Sequence, residues 1–225
     1  MKVKARNTFA HPERFGLSAR EFGLLKSLDT PSKIQDFLDD LPINFEHEGE
    51  TYMSVARTLK AGKAHCFEGA LLAACALWIQ GEKPLLLDFK TDRDEDHVVA
   101  LFRRSGGFGA ISKTNHAVLR YRDPVYRNVR ELVLSYFHEY FRKDGGKSLY
   151  SFSKPFSLLR YDPHSWISGQ EELFHIVDAL DASPHRRIVR RDYLSRLRKA
   201  DSFVRKVSDH TEWGMDGRRN KKQRP

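Results

Sequence analysis

The stretch "AGKAHCFEGALLAACALWIQG", residues 61–81, decides how the rest of the chain is read. From Cys66 onward, Phe67, Ala70, Leu71, Ala74, Leu77 and Trp78 recur at three- and four-residue steps, and apolar residues fill most positions between them. That pattern predicts a helix of about fifteen residues, buried nearly all round and therefore central to the fold. Gly81 stands where a helix-ending glycine belongs, and Gly62 closes whatever precedes. A thiol thus opens the most apolar helix of the protein.

Outward from this helix the pattern alternates between helical and extended. On the N-terminal side, Ser18 is placed to cap a short amphipathic helix in "SAREFGLLKSL", and Thr30 before Pro31 is the favoured order for starting a second one, which Pro42 stops. A third helix is predicted from about Tyr52 to Gly62. On the C-terminal side, "KPLLLDF" reads as a buried strand, and "HVVALFRRSGGFGAIS" as two antiparallel strands joined by a tight turn at Ser105, Gly106 and Gly107. "NVRELVLSYFHEYF" is predicted helical, "KSLYSFSKPFSLLRY" strand and loop, and "SGQEELFHIVDAL" helical from near Ser168. "RRDYLSRLRKADSFVRKV" is predicted to be one basic amphipathic helix, and "GMDGRRNKKQRP" to be disordered.

Composition sets limits on function. With 225 residues, 40% of them hydrophobic, the chain can bury one sizeable core. The first residues, "MKVKARNTFAHPERF", lead into no apolar stretch of signal-peptide length, and the longest apolar run, 70–79, is far short of a membrane span. A soluble, cytoplasmic protein is the expectation. Cys66 and Cys75, if both lie on one helix, are about 13.5 Å apart, too far for a disulfide. No Cys/His spacing fits zinc, and neither metal nor organic cofactor is expected. The net charge of +9 is unevenly placed: 14 of the 39 Lys/Arg but only 5 of the 30 Asp/Glu lie from Pro184 on. The expected organisation is a neutral α+β domain over 1–183, followed by a basic helical extension and tail over 184–225.

A cysteine at a helix N-terminus, followed by a hairpin whose first strand begins with a histidine, has a direct chemical reading. The thiolate faces unpaired N–H groups and the positive end of the helix dipole, which lowers its pKa. His97 can hold the proton, and the same N–H groups can donate to an oxyanion formed in acyl transfer.

"GKAHCFEGALLAACAL", "DHVVALF" and "GFGAIS", in this order over roughly residues 30–125, resemble the core of the transglutaminase-like superfamily of papain-like cysteine enzymes, in particular its uncharacterised bacterial members. The cysteine-helix region also resembles that of the arylamine N-acetyltransferases. The resemblance implies a papain-like α+β core in which the central helix packs on a small antiparallel sheet. It assigns nucleophile to Cys66 and general base and acid to His97, 31 residues on. The implied activity is a cysteine hydrolase or acyltransferase, passing through a thioester on a peptide, amide or acyl substrate.

The third position departs from the family pattern. Fifteen residues beyond His97, where an aspartate is expected, stands Ser112, which can accept a hydrogen bond but carries no charge to stabilise an imidazolium. Asn115 is the alternative orienting residue, provided the register brings it round. Asp96 is adjacent to His97 on a strand and points to the opposite face. Three readings stay open: a working enzyme, a non-catalytic binding module with a degenerate triad, and a nucleic-acid-associated protein acting through 184–225, where a weak anion contact is expected. His65 reads as a helix cap or a second proton carrier, Glu68 as a carboxylate that suits the helix dipole, and Cys75 as a small core residue.

Overall fold

A computed structural model describes residues 11–220, so the first part of the N-terminal stretch and the last five residues lie outside the described chain. Four helices lead to the central one: α1 (Pro12–Phe15), α2 (Ala19–Ser27), α3 (Pro31–Asp40) and α4 (Val55–Ala61). Each of the last three begins as its sequence dictates, with the hydroxyl of Ser18, Thr30 or Ser54 accepting from a backbone N–H of the first turn. The start of α4 lies three residues later than expected, because Tyr52 is extended and its N–H and C=O are both used by residues 172–173.

The central helix α5 spans Cys66–Ile79, and every residue in it except Cys66 and Trp78 is buried. It packs on an antiparallel sheet built from β1 (Leu85–Thr91), β2 (His97–Arg104), β3 (Gly107–Ile111), β4 (Arg122–Tyr126), β5 (Leu149–Ser153), β6 (Phe156–Ser157) and β7 (His185–Arg187). The strand order is β4-β3-β2-β1-β5-β7, with β6 also paired to β1. The β2–β3 turn is carried by Ser105 and Gly106, both with positive φ, the conformation of a two-residue hairpin turn.

Both faces of the sheet are covered. Leu86, Val98, Ala100, Phe102 and Ile111 meet α5, whereas Leu87, Phe89, Val99, Leu101 and Ala110 meet Leu132, Val133 and Tyr136 of α6 (Val129–Phe137). This explains why β1 and β2 read as continuous apolar runs in an antiparallel sheet, where one face usually alternates with water. A buried cation stitches the layers: Lys113, just past β3, donates to the carbonyls of Leu38 and Leu41 at the C-terminal end of α3. Its stem passes over Gly69, where an added Cβ would lie 2.4 Å from Lys113 Cβ. Burial lowers the lysine to about 8.

The C-terminal quarter differs from expectation in three places. The helix expected from Ser168 is α7 (Phe174–Asp181), because Ser168 ends a π-type turn and Glu172 turns back to bind Tyr52 and Arg57. The single basic helix is a 3₁₀ turn (Arg191–Arg196) and a short α8 (Ser202–Ser208). The break falls where Ala200 N–H bonds Gly145 O, and Asp201 starts a new helix by accepting from the N–H groups of Phe203 and Val204. The segment expected to be disordered folds back as far as Asn220, with Trp213 buried and Arg219 donating to Glu212 and Asp40. Nor is the described part of 184–225 detached from the body: β7 pairs with β5, and His185 Nε2 reaches the buried Asp88 at 3.0 Å. No helix among the described residues is long and apolar enough to cross a membrane.

Candidate active site

The N-terminal turn of α5 is built around a carboxylate that water cannot reach. Glu68 is fully buried, and its oxygens accept from His65 N–H (3.0 Å), Thr51 Oγ1 (3.0 Å), Asn44 Nδ2 (3.2 Å) and Met53 N–H (3.3 Å). The reciprocal half of this capping box is His65, whose Nδ1 lies 3.2 Å from Phe67 N–H while Nε2 donates to Thr51 O at 2.7 Å. Glu68 therefore aims away from any reactive centre at Cys66 and anchors the loop of residues 44–53 to the helix.

Cys66, the first residue of α5, is half-buried, and the side chains of both His65 and His97 act on its thiol. Burial alone would raise its pKa. The two imidazoles outweigh burial and hold the thiol down at about 5. For His65, burial opposes the charge, but the sulfur and Glu68 overcome it and raise the imidazole to about 9. Glu46, 3.7 Å from Nε2, adds a further carboxylate beside the ring. At neutral pH the pair is a thiolate beside an imidazolium. Only a neutral Nδ1 can accept from Phe67 N–H, so the helix cap and the charge on His65 exclude one another.

His97 begins β2 opposite Phe89 of β1 and is buried. Its Nε2 lies 2.8 Å from Ser112 Oγ, which itself donates to Leu119 O at 2.6 Å. The serine's single proton is spent on Leu119, so Ser112 accepts from His97 and Nε2 carries the hydrogen. Nδ1 is thereby left as the basic nitrogen for the sulfur. Ser112 is in turn fixed by Gln35 of α3, which accepts from its N–H (2.9 Å) and donates to its C=O (2.8 Å). Leu119 presents its carbonyl from a left-handed backbone, φ 62°, a conformation that costs a non-glycine residue about 1–3 kcal/mol.

Of the four residues singled out from the sequence, the fold brings Cys66, His97 and Ser112 together and sends Asn115 elsewhere. Asn115 exchanges two hydrogen bonds with the backbone of Trp213, so it pins the C-terminal segment and does not orient His97. It lies beyond the end of β3, where the strand alternation that would have faced it toward His97 has stopped. Asp96 faces away as expected, bonding Lys90 and Thr91 N–H. Gln35 and Tyr140 were not anticipated. Gln35 looks like any polar residue of an amphipathic helix, and nothing local marks it. Tyr140 is buried with its hydroxyl unpartnered, its ring edge-on to Phe89, and its ionisation opposed first by burial and next by the charge of Cys66. A buried hydroxyl without a partner is rare.

Cys75 is buried among alanines and leucines, and burial alone pushes its thiol far up. Among the described residues no cluster of His, Cys, Asp and Glu is arranged to hold a metal ion. Compared with known proteins, the chain matches no family model and no curated sequence.

Proposed function

We propose that the protein is a cysteine-dependent acyl-transfer enzyme, hydrolase or acyltransferase, with Cys66 as nucleophile and His97 as general base and acid. The observation that carries this reading is the meeting, at the N-terminus of a buried helix, of the thiol of a half-buried cysteine with two imidazoles, one of them held in a single tautomer by Ser112. The finer fold assignment belongs to the same proposal. A thiol that opens the central helix, with a histidine on the next hairpin strand, is the arrangement of a transglutaminase-like, papain-like core.

In the forward step the Cys66 thiolate forms a bond to a carbonyl carbon of a peptide, amide or ester. The carbonyl π electrons move to oxygen, where the N–H of Cys66, which has no intrahelical acceptor, is an available donor. The oxyanion collapses, the bond to the leaving group breaks, and that group takes from His97 Nδ1 the proton His97 accepted from the thiol when Cys66 became the thiolate. Water or an amine then gives its proton to His97 as it attacks the thioester, which releases the acyl group and restores the thiolate. His65 stabilises the resting thiolate through its charge, a part the family's aspartate would play indirectly through the histidine.

The test combines alkylation of Cys66 across pH with a search for an acyl thioester on Cys66 after exposure to an activated ester. An alkylation rate that follows a pKa far below the free-thiol value of about 8.5, together with a covalent acyl adduct lost in His97→Ala, supports the enzyme. Ordinary thiol behaviour that His97→Ala leaves unchanged sinks it. The uncharged Ser112 favours one other reading, a binding module on an enzyme scaffold. For that protein the thiol is reactive, but an acyl group placed on it is not turned over.

A further inference from the structure

At the β7 edge of the sheet, β5, β7, the loop after β1 and the 3₁₀ turn line an open cavity of about 670 Å³. That volume lies within the roughly 300–1,000 Å³ typical of small-molecule sites. Five arginines line it, Arg93, Arg142, Arg187, Arg190 and Arg191, against two carboxylates, Asp92 and Asp192. The lining is overcharged by three.

The surplus is not spread evenly. Asp92, mostly buried, receives three guanidiniums at once: Arg191 Nε at 2.5 Å, Arg142 Nη1 at 3.2 Å and Arg93 Nε at 3.3 Å. Asp192 is taken up by Arg190 alone, in a two-bond fork of 2.7 and 3.0 Å. Arg142 also leans on Asp144 outside the cavity, and Lys199 shares that carboxylate. Arg187 is engaged through its backbone, in the pairing with β5 and by its carbonyl, which accepts from Arg130; its guanidinium has no hydrogen-bond or carboxylate partner among the described residues. Guanidiniums crowded on one carboxylate repel one another, and a free one beside them adds to the field. An anion entering the cavity relieves both. Arg191 is held over the face of Tyr150 at 5.6 Å, so part of the cluster is already ordered before a ligand arrives.

We propose that this cavity is a binding site for a small molecule carrying two or more adjacent phosphate groups. The planar fork of guanidinium matches phosphate oxygens, and each phosphate brings about 1.5–2 negative charges near neutral pH, so a diphosphate balances a surplus of three. The guanidiniums gather on one spot around Asp92, a footprint that suits a compact anion rather than the extended track of a nucleic-acid strand. The arginines come from three separate stretches of sequence, so the site exists only in the folded chain. It stands independently of the chemistry at Cys66.

The test is calorimetric titration of the full chain, in buffer of physiological ionic strength, with inorganic pyrophosphate, ADP and sulfate. The expected result is one-to-one binding of pyrophosphate at least tenfold tighter than sulfate, weakened tenfold or more by Arg187→Gln and by Arg191→Gln, and partly retained by Arg187→Lys. ADP binding as tightly as pyrophosphate identifies a nucleotide as the source of the phosphates; pyrophosphate alone identifies an inorganic or non-nucleotide ligand. Pyrophosphate and ADP binding no tighter than sulfate overturns the proposal, and that comparison needs no variant. So does binding of a single-stranded oligonucleotide that pyrophosphate does not displace, which assigns the basic surface to nucleic acid.

Discussion

Cys66 and Cys75 stand nine residues apart on one helix, in one apolar stretch, yet burial drives the Cys75 thiol far above its usual range while two imidazoles draw Cys66 down to about 5. Both thiols are desolvated, so the apolar surroundings do not separate them. What separates them is position. Cys66 sits where the helix begins, beside a capping histidine and near the first residue of β2, whereas Cys75 lies within the hydrophobic core, where burial alone acts on it. A depressed thiol pKa is therefore a property of the helix end and of what the sheet delivers to it.

The contrast can be broken most severely through Glu68, which holds the helix end in place. Glu68→Ala orphans buried donors on Asn44, Thr51, Met53 and His65 and should cost about 3 kcal/mol or more in urea unfolding. A loss under about 1 kcal/mol would mean that the N-terminal turn stands without its carboxylate, and that Cys66 owes little to it.

Next in size is His65→Ala. It should move the midpoint of Cys66 alkylation up from about 5 toward the free-thiol value and slow the reaction at pH 6 by about tenfold or more. The same pair predicts a pH profile of stability. Cys66 has a folded pKa below its unfolded value, so its contribution is lost as pH falls through about 5; His65 has a folded pKa above its unfolded value, so its contribution is lost as pH rises through about 9. Thermal unfolding midpoints of the wild type should fall off on both flanks, and the alkaline flank attributable to the imidazole should flatten in His65→Ala.

Ser112→Ala probes the other histidine. It removes the acceptor for His97 Nε2–H and the hydroxyl on Leu119 O, at a cost of about 1 kcal/mol, and it should slow acyl transfer to an activated ester while leaving Cys66 alkylation at neutral pH nearly unchanged. Equal loss of both would assign Ser112 to the thiolate itself. The smallest effect is expected from Cys75→Ala: about 1 kcal/mol of lost packing and no change in the alkylation profile, read by mass spectrometry. A shifted profile would show that the two thiols communicate along α5.

The legible part of the fold is the part governed by local periodicity and local caps. The limits of α5, the β2–β3 hairpin with its Ser105–Gly106 turn and the caps at Ser18 and Thr30 follow from residues within a few positions of each element. The C-terminal region was illegible for the opposite reason. Its basic periodicity favours one helix, but a backbone bond from Ala200 to Gly145 and a pair of bonds between Asn115 and Trp213 override it, and neither partner is near in sequence.

The sequence by itself determined that a thiol would open a buried helix and that a histidine would open the second strand after it. Short-range spacing is enough for both. Only the tertiary structure decided which nitrogen of His97 is free, because that depends on Ser112 and Leu119 of the loop after β3 converging with Gln35 of α3. It also decided that His65 joins the site, that Asn115 does not, and that arginines from three stretches meet around Asp92. Hydrogen bonds and charges act over a few ångströms of space, and the separations along the chain that bring them into range are set by how the layers pack.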